Sequence, residues 1–591
     1  MDNGSDRSRG ARAVSRHLVR TGAVLVTCGV FVALVAVAVS RPPVTSSSTA
    51  RHDTADRDGA HRADRPTGNP TGATEPFLEP VDMLGNQTAA RPVTYEGADG
   101  VEAAWVVAEN ARPGTTSWVI PPTVTPGRIA GFANLTDASI GDTVTLYVST
   151  AAPTFRVVAY RMGWYQGTGG RQVWASAEVP GGVQPACPVT PGVNMVSCDN
   201  WTATLSFPVT SAFVQGNYLL KLVGSGGQEG YVPLTVSDPT STATYLVVNR
   251  SFTEQGWNTY GGFSFYQGTG PCPAGTPTYP VCNRARVVSF DRPYDTGNGS
   301  SDFLGDEFPL VQFCERYGLD VTYVSDVSLD ADPQLALHHR VILSLGHDET
   351  WSYAERAAVQ IAHDHGANIV FLGAAAVLRH VRMQPSPLGP EREEVNYRDA
   401  TEDPLDGHGS PLLVTGNTWA SPPTDWSEVP FVGELYSGYL SDDTSVPFVV
   451  FDASAWPFAG TGLKDGSALA GVIQSDVDHL AAPASTPADL EVLGHSPIPD
   501  ALVYTNQGSW AGDSYSDMTY YTDPVGGGGV IDTGTVNWIH AMSPCPATVT
   551  DCPATAVQEI TGNILRVFGR GPAADSRPSV ANWQSVQPAG S

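Results

Sequence analysis

The stretch RVILSLGHDETWSYAERAAVQIAHDHGANIVFLGAAAV, residues 340–377, decides the fold of this chain. It opens with RVILSLG (340–346) and closes with NIVFLGA (368–374), two nearly continuous apolar runs. Short runs of this kind, without alternation of polar and apolar residues, are typical of strands that are buried on both faces. The stretch therefore predicts two strands of a parallel sheet.

The residues between these two runs predict a helix from Ser352 to about His365. Ser352 and Glu355 have the spacing of a capping box, and Gly366 is placed to end the helix. A strand, a helix and another strand in this order form the repeating unit of an α/β fold, in which helices cover both faces of the sheet.

The same alternation continues on the N-terminal side of this unit. Apolar strands are predicted at TYLVVN (244–249), RVVSFD (286–291) and LDVTYVSD (319–326), with a second helix from about Asp302 to Tyr317. We therefore expect a flavodoxin-like or amidotransferase-like α/β domain over residues 241–572, followed by a disordered tail at 573–591.

Before residue 241 the pattern changes to short strands separated by turns. Examples are TVTLYVST (143–150), FRVVAYRM (155–162), ATLSFPV (203–209) and YLLKLVG (218–224). Their alternation and their content of β-branched residues predict an antiparallel β-sandwich. We assign this all-β domain to residues 78–240.

The N-terminal region is predicted to be a membrane anchor. Residues 21–40 carry no charge and, as a helix, would just span a hydrocarbon core about 30 Å thick. Five arginines lie in the basic tail 1–20, so the positive-inside rule places this tail in the cytoplasm and the chain after a tether at 41–77 outside the cell. The alternative is a secretory signal peptide cleaved near Ala38.

Charge and cysteine content support an exported protein that does not bind nucleic acid. Acidic residues outnumber basic ones by 60 to 32, for a net charge of -28, whereas phosphate contacts need lysine and arginine. Three pairs of cysteines, each close in sequence, are predicted to form disulfides, as expected in an oxidising compartment: Cys187 with Cys198, Cys272 with Cys282, and Cys545 with Cys552. Cys314 is predicted to be a buried thiol.

The candidate functional residues follow the predicted strands. His347, Asp348 and Glu349 come directly after RVILSLG, at the strand end where α/β sheets bind their ligands. Two other strands run into Tyr260 and Tyr294, and phenolate and carboxylate oxygens suit a hard cation such as ferric iron. The alternative is that these tyrosines only pack within loops.

Several segments spread over both predicted domains resemble the large-subunit family of N,N-dimethylformamidase. They are YRMGWYQGTGGRQV (160–173), WNTYGGFSFY (257–266), SFDRPY (289–294), EFPLVQFCERYGLDVTYVSD (307–326), GHDETW (346–351), NIVFLGAAAV (368–377) and EVNYRDATEDP (394–404). The resemblance implies an iron-dependent hydrolase of amide C–N bonds, acting on a small-molecule amide or an envelope component, with possible assembly into oligomers.

The resemblance also implies a set of site residues. A mononuclear ferric ion would be held by Tyr260, Tyr294 and Glu349, with Tyr266 as a less favoured substitute for one tyrosine. His347 and Asp476 would be the catalytic proton-transfer residues.

Three departures from the family pattern leave other functions open. Ala375 replaces an asparagine that is usual in the family, Asp476 replaces a glutamate, and Thr350 replaces a tyrosine. One alternative is a non-catalytic envelope or glycan-binding protein whose inherited site has decayed. The other is an envelope glycan hydrolase that uses Glu349 and Asp476 as paired carboxylates.

Overall fold

The computed structural model describes residues 93–270, 280–441, 444–481, 485–499, 502–504, 514–546, 548–549 and 551–586. The predicted basic tail, anchor and tether lie outside these residues. Within the described ranges, no helix is long and apolar enough to cross a membrane. All of the described residues belong to one compact unit.

The N-terminal part of the described chain consists mainly of strands. These strands are β1 (Thr94–Glu96), β2 (Val101–Ala103), β3 (Ile129–Ala133), β4 (Asp137–Ala138), β5 (Thr143–Thr150), β6 (Thr154–Met162), β7 (Gly170–Ala175), β8 (Val179–Pro180), β9 (Val189–Thr190), β10 (Met195–Val196), β11 (Leu205–Pro208), β12 (Gly216–Gly224) and β13 (Glu229–Val236).

The C-terminal part alternates strands with helices before it becomes mostly strands. Its strands are β14 (Tyr245–Asn249), β15 (Val287–Ser289), β16 (Val321–Ser325), β17 (Val341–Gly346), β18 (Thr350–Ser352), β19 (Asn368–Gly373), β20 (Arg379–Ser386), β21 (Gly389–Val395), β22 (Glu434–Leu440), β23 (Ser445–Val449), β24 (Ala468–Gln474), β25 (Asp476–Leu480), β26 (Glu491–Ile498), β27 (Val503–Tyr504), β28 (Ser514–Thr522) and β29 (Gly529–Asp532). The α-helices of the described chain are α1 (Ala104–Asn110), α2 (Ser251–Trp257), α3 (Phe303–Asp306), α4 (Phe308–Arg316), α5 (Asp326–Ala331), α6 (Tyr353–Asp364), α7 (Val429–Val432) and α8 (Ala554–Phe568).

Two sheets of the N-terminal part pack face to face, as predicted. One has the order β11-β5-β3, and the other has the order β4-β13-β12-β6-β7 with β8 paired to β6. A single apolar cluster lies between them, with Leu146 and Phe207 from the first sheet and Leu220 and Leu234 from the second. Apart from the short parallel β4, the paired strands of these two sheets are antiparallel.

The central sheet of the C-terminal part has the order β16-β14-β17-β19-β29-β28-β26. Its first five strands are parallel and have the sequence order 2-1-3-4-5, whereas β28 and β26 are antiparallel. Alternate residues of β14 enter two separate cores: Tyr245 and Val247 pack on one face of the sheet, and Leu246 and Val248 pack on the other. Burial on both faces explains why these strands are continuously apolar.

Helix α6 confirms the helix predicted from the capping box. Ser352 accepts a hydrogen bond from the backbone N–H of Glu355, and the Glu355 carboxylate accepts one from the N–H of Ser352. The other predicted helix is divided into α3 and α4, with Pro309 in the first turn of α4. Proline fits there because it lacks the N–H that a first turn leaves unpaired.

The YRMGWY segment, residues 160–165, joins the sandwich to the central sheet. Arg161 of β6 donates two hydrogen bonds, of 2.9 and 2.6 Å, to the carboxylate of Glu315 on α4, and both side chains are buried. Tyr165 donates to Glu109, at 2.8 Å, on α1. This family-typical segment therefore has a structural role in the contact between the two domains.

Two of the predicted disulfides are confirmed, Cys187–Cys198 and Cys545–Cys552. Cys282 is also disulfide-bonded, and its predicted partner Cys272 lies outside the described residues. Cys314 is a buried free thiol, as predicted.

The first part of the predicted C-terminal tail packs against the body of the protein. Ala573 is buried, and Asn582 exchanges two hydrogen bonds, of 2.6 and 3.0 Å, with the backbone of Val492 on β26. Residues 573–586 therefore belong to the folded part of the chain.

Candidate active site at the carboxyl edge of the parallel sheet

The loop that carries His347, Asp348 and Glu349 begins where β17 ends. Gly346 has a φ of +56°, in the left-handed region that favours glycine, and turns the chain out of the sheet. The connection after β14 leads to β16 on one side of the sheet, whereas the connection after its neighbour β17 leads to β19 on the other side. Open α/β sheets bind ligands at such a point.

Arg250 and Thr253, which both follow β14 in the chain, hold this loop in place. Arg250 donates from Nη1 to the carbonyl oxygen of His347 at 3.0 Å. The backbone N–H of Thr350 donates to Oγ1 of Thr253 at 3.0 Å. Because both contacts come from the neighbouring strand and helix α2, Glu349 lies on a fixed part of the sheet edge.

Glu349 is surrounded by hydrogen-bond donors. Its Oε1 accepts from Nε of Arg379 at 3.0 Å, and its Oε2 accepts from Nε1 of Trp257 at 3.2 Å and from the hydroxyl of Tyr266. Nε2 of His347 lies 3.4 Å from the same Oε2. Burial alone would raise the pKa of Glu349, but the charges of His347 and Arg379 lower it to about 2. Glu349 is therefore ionised.

Tyr266 lies in a stack of three planar groups. The indole of Trp257 is 3.6 Å from its ring, with an angle of 8° between the planes, and the guanidinium carbon of Arg398 is 4.2 Å from the ring centroid. Burial and the negative charge of Glu349 raise the pKa of the Tyr266 phenol, which keeps it protonated. Trp257 is 42% exposed and marks the side of the stack that meets solvent.

Asp476 lies within electrostatic reach of this cluster. It is on β25, and the hydroxyl of Tyr436 on the adjacent β22 hydrogen-bonds its carboxylate. Burial raises the pKa of Asp476, the charge of Glu349 raises it further, and His347 opposes the change. Three residues predicted from the sequence, His347, Glu349 and Asp476, are therefore brought together.

The segment after β19 adopts a strained backbone beside this cluster. Ala375 and Val377 have φ values of +56° and +57°, which are unfavourable for alanine and more so for a β-branched residue. The Asp478 carboxylate accepts the N–H of Ala375 at 2.8 and 2.9 Å, and Val377 donates to the carbonyl of Asp348 at 3.2 Å. Strained residues persist only where surrounding contacts hold them, and such residues concentrate at functional sites.

Comparison with known proteins identifies the family. The model of the N,N-dimethylformamidase beta subunit-like, C-terminal family matches residues 156–552. The chain belongs to this family. The match begins in β6, includes the central sheet and the Glu349 loop, and confirms the resemblance drawn from the sequence segments.

The other comparisons add no functional argument. No curated protein matches the chain. A solved structure of a Paenibacillus sp. cycloisomaltooligosaccharide glucanotransferase complexed with cycloisomaltoheptaose is similar over 47% of this chain and 35% of that chain, with 10% identity and a TM-score of 0.13. The chain thus spans about a third of that relative, and a likeness this low says nothing about fold or function.

The two tyrosines expected from the dimethylformamidase family to bind iron lie elsewhere. Tyr260 packs with Phe132 and Trp201 beside the Cys187–Cys198 disulfide. Tyr294 lines a cavity of 60 Å³ together with Glu254 and Arg292, between the sandwich and the central sheet. The tyrosine that contacts Glu349 is Tyr266, the substitute considered from the sequence.

The residues around Glu349 do not fit the ferric ion that the family implies. Tyr266 and His347 could each offer one atom, but the indole N–H of Trp257 and the guanidinium of Arg379 are donors only and cannot coordinate a metal. The positive charges of Arg379 and Arg398 also oppose a trivalent cation. Within the described chain, no group of three or more His, Cys, Asp and Glu residues is arranged to hold a metal ion.

Four residues of the cluster were not assigned from the sequence: Trp257, Arg379, Arg398 and Tyr436. Trp257 and Arg398 lie inside the family-like segments WNTYGGFSFY and EVNYRDATEDP. These segments could therefore have indicated them. Tyr436 lies in a long Pro- and Gly-rich region without a recognisable motif, and only the pairing of β22 with β25 brings it to Asp476.

Proposed function

We propose that this protein is a hydrolase of amide C–N bonds and that the reaction takes place at the cluster formed by His347, Glu349 and Asp476. Family membership supports a hydrolase related to dimethylformamidase. The observation that carries the proposal is the meeting of an imidazole, an ionised carboxylate and a second carboxyl of raised pKa at the switch point of the sheet. These are the groups that a water attack on an amide needs.

The proposed roles follow from the contacts. Nε2 of His347 faces the Glu349 carboxylate at 3.4 Å, so the other ring nitrogen, Nδ1, would accept a proton from the attacking water. Glu349, fixed by Arg379, would stabilise the imidazolium that forms, as the carboxylate of a catalytic triad does. Asp476 would deliver a proton to the leaving nitrogen, since burial raises the pKa of its carboxyl and so favours the protonated form.

The test is amide hydrolysis by the full-length protein, with formamide, N,N-dimethylformamide and N-alkylacetamides as substrates. We expect Glu349→Gln and His347→Asn to lower kcat about 10²- to 10⁴-fold, the usual contribution of general acid–base catalysis. The solvent-exposed Glu559 provides a matched control, and Glu559→Gln should retain full activity. Equal rates in the wild type and Glu349→Gln would contradict the proposal.

Elemental analysis tests the part played by iron. Because the residues around Glu349 do not fit a ferric ion, we expect iron far below one atom per chain and no absorption from phenolate bound to iron. Stoichiometric iron that is lost in Tyr266→Phe would show that this expectation is wrong and that Tyr266 is a ligand.

The same assays separate the two alternative functions. A glycan hydrolase that uses Glu349 and Asp476 would release reducing sugar from envelope glycan and would lose this activity in either Glu349→Gln or Asp476→Asn. A non-catalytic binding protein would show no turnover of amides or glycans in the wild type.

We also propose that the folded part of the chain lies outside the cytoplasm, attached through residues 21–40. The two described disulfides support this location, since disulfides form and persist in oxidising compartments. Protease added to intact cells should digest the folded part and leave a short membrane fragment. Protection of the whole chain would contradict the proposal.

A further inference from the structure

Arg398 presents an unpaired guanidinium edge beside Glu349. Its Nε and Nη2 atoms are buried, and neither has a hydrogen-bond partner in the described chain. These two atoms point their hydrogens in the same direction, and this edge of an arginine binds a carboxylate with two parallel N–H···O bonds. Arg398 itself has a φ of +55°, so the backbone is held in an unfavourable conformation that places this side chain.

The nearby carboxylate of Glu349 is already occupied. Its two oxygens accept from Arg379, Trp257 and Tyr266, which leaves no free pair of lone pairs for the edge of Arg398. A buried cation without a hydrogen-bonded partner is costly, and proteins pair such groups or use them to bind a ligand.

The charge around Arg398 is positive. Burial, and then the charge of Arg379, lower the pKa of Arg398. Burial and the charge of Arg398 in turn lower the pKa of Arg284 to about 9. Arg284 is bound to the backbone carbonyls of Ala285 and residues 396–397. Arg379 and Arg284 thus add positive charge around Arg398, and the charge of Glu349 offsets part of it.

We infer that Arg398 binds a carboxylate of the substrate, so that the amides hydrolysed here carry a carboxylate close to the scissile bond. N-acyl amino acids and monoamides of dicarboxylic acids have this chemistry. The inference rests on the proposed hydrolysis at Glu349 and names the substrate class of the same site.

The spacing within the stack favours a short substrate. The ring of Tyr266 lies between Arg398 and the carboxylate of Glu349. The guanidinium carbon of Arg398 is 4.2 Å from the centroid of this ring, and the hydroxyl of the ring donates a hydrogen bond to Glu349. A carboxylate on Arg398 would therefore lie only a few bonds from an amide at His347 and Glu349. Hydrolysis adds water across the amide: hydroxide adds to the acyl carbon, the C–N bond breaks, and the nitrogen leaves with a proton. The bound carboxylate does not react.

The first experiment compares matched substrates with the full-length protein. N-acetylglycine is compared with the neutral N-propylacetamide, and N-methylsuccinamic acid with N-methylbutanamide, by the amine released. We expect kcat/KM for one of the anionic substrates to exceed that of its neutral match by about 10- to 100-fold, the range of a charged hydrogen-bonded pair. Arg398→Met should remove this ratio, and Arg398→Lys, which lacks the planar fork, should keep only part of it.

Arg286 provides the matched control. It is a neighbouring arginine that pairs with Glu402 at 2.9 Å, away from Glu349. Arg286→Met should leave the ratio of anionic to neutral substrate unchanged. If Arg398→Met keeps the ratio, or if the wild type hydrolyses both members of each pair equally, the inference is wrong while the proposed hydrolysis stands.

A second measurement does not depend on turnover. N-acetylglycine or N-methylsuccinamic acid should raise the Tm of the wild type, because a ligand that binds only the folded state stabilises it, and should not raise the Tm of Arg398→Met. Without added ligand, Arg398→Met should melt at a higher temperature than the wild type, since it removes an unpaired buried charge. An Arg398-dependent rise in Tm without any amide hydrolysis would support the carboxylate site and refute the proposed function. No rise with either acid would overturn the carboxylate site.

Discussion

Replacement of Arg161 by methionine should reveal how strongly the sandwich is attached to the central sheet. Arg161 and Glu315 are both buried, and two hydrogen bonds of 2.9 and 2.6 Å join them. Removing one member of a buried ion pair costs about 3–5 kcal/mol, because the other charge stays buried without a partner. Glu315 would keep the hydroxyl of Tyr323, at 2.9 Å, and the amide of Asn110. We therefore expect a loss near the lower limit, about 3 kcal/mol.

A double-mutant cycle separates the pair from its surroundings. Arg161→Met together with Glu315→Leu removes both charges and should cost only about 1–2 kcal/mol, mainly because the hydroxyl of Tyr323 loses an acceptor. The free energy of unfolding is measured by urea denaturation with both domains followed separately. The exposed Arg112, which pairs with Glu109 at 3.2 Å, is the control, and Arg112→Met should cost less than 1 kcal/mol. A cost below 1 kcal/mol for Arg161→Met, or a double variant as unstable as the sum of the two single ones, would refute this reasoning.

Two further predictions concern the backbone and the buried carboxylates near Glu349. Ala375→Gly should stabilise the protein by about 1 kcal/mol in urea denaturation because glycine tolerates a φ of +56°, whereas Ala376→Gly next to it should destabilise the protein. Burial and the charge of Asp478 raise the pKa of Asp532, and burial raises the pKa of Asp478 to about 7. The folded state therefore binds more protons than the unfolded state, and the protein loses stability as pH rises towards and through 7. Asp532→Asn cannot lose a proton and can still donate to Asp478, so its free energy of unfolding should fall less than that of the wild type between pH 6 and 8; an equal fall in both would contradict the assignment.

The elements that follow from local sequence were predictable. β17, β19 and helix α6 depend on neighbouring residues only: apolar runs for the strands, and Ser352 with Glu355 for the start of the helix. The disulfide Cys545–Cys552 was predictable for the same reason, because its cysteines lie close in sequence. The antiparallel strands β26 and β28 at the edge of the central sheet were not predicted, since their place depends on pairing with β29.

The candidate site was predictable where a strand carries it and unpredictable where a loop does. His347 and Glu349 follow directly from the end of β17, so the rule on strand ends places them. Tyr260 and Tyr266 both follow α2, and the two turns at the glycines between them decide which ring reaches Glu349. Loop geometry of this kind depends on contacts such as the packing of Tyr260 against the sandwich, which the spacing in the sequence does not contain.

The segments that resemble the dimethylformamidase family predict where the site lies in the fold better than they predict the roles of individual residues. YRMGWY is highly characteristic, yet its Arg161 holds two domains together rather than contacting the Glu349 cluster. Ala375, which stands where the resemblance implies an asparagine, has a left-handed backbone, a conformation that asparagine tolerates better than alanine. The alanine therefore makes the backbone at position 375 less favourable than an asparagine would. Its presence does not by itself indicate the loss of a group that binds substrate.

The charges near Glu349 distinguish an iron site from a site that binds an anionic substrate. A ferric ion would need its three positive charges balanced by two phenolates and a carboxylate, but Tyr266 is the only one of the three tyrosines considered from the sequence that contacts Glu349. Arg379 and Arg398 already place two positive charges beside the single carboxylate of Glu349. Glu349 pairs with Arg379, whereas Nε and Nη2 of Arg398 have no hydrogen-bond partner in the described chain, which favours an anion at Arg398. A carboxylate on the substrate supplies that charge and, at the same time, fixes the amide beside His347.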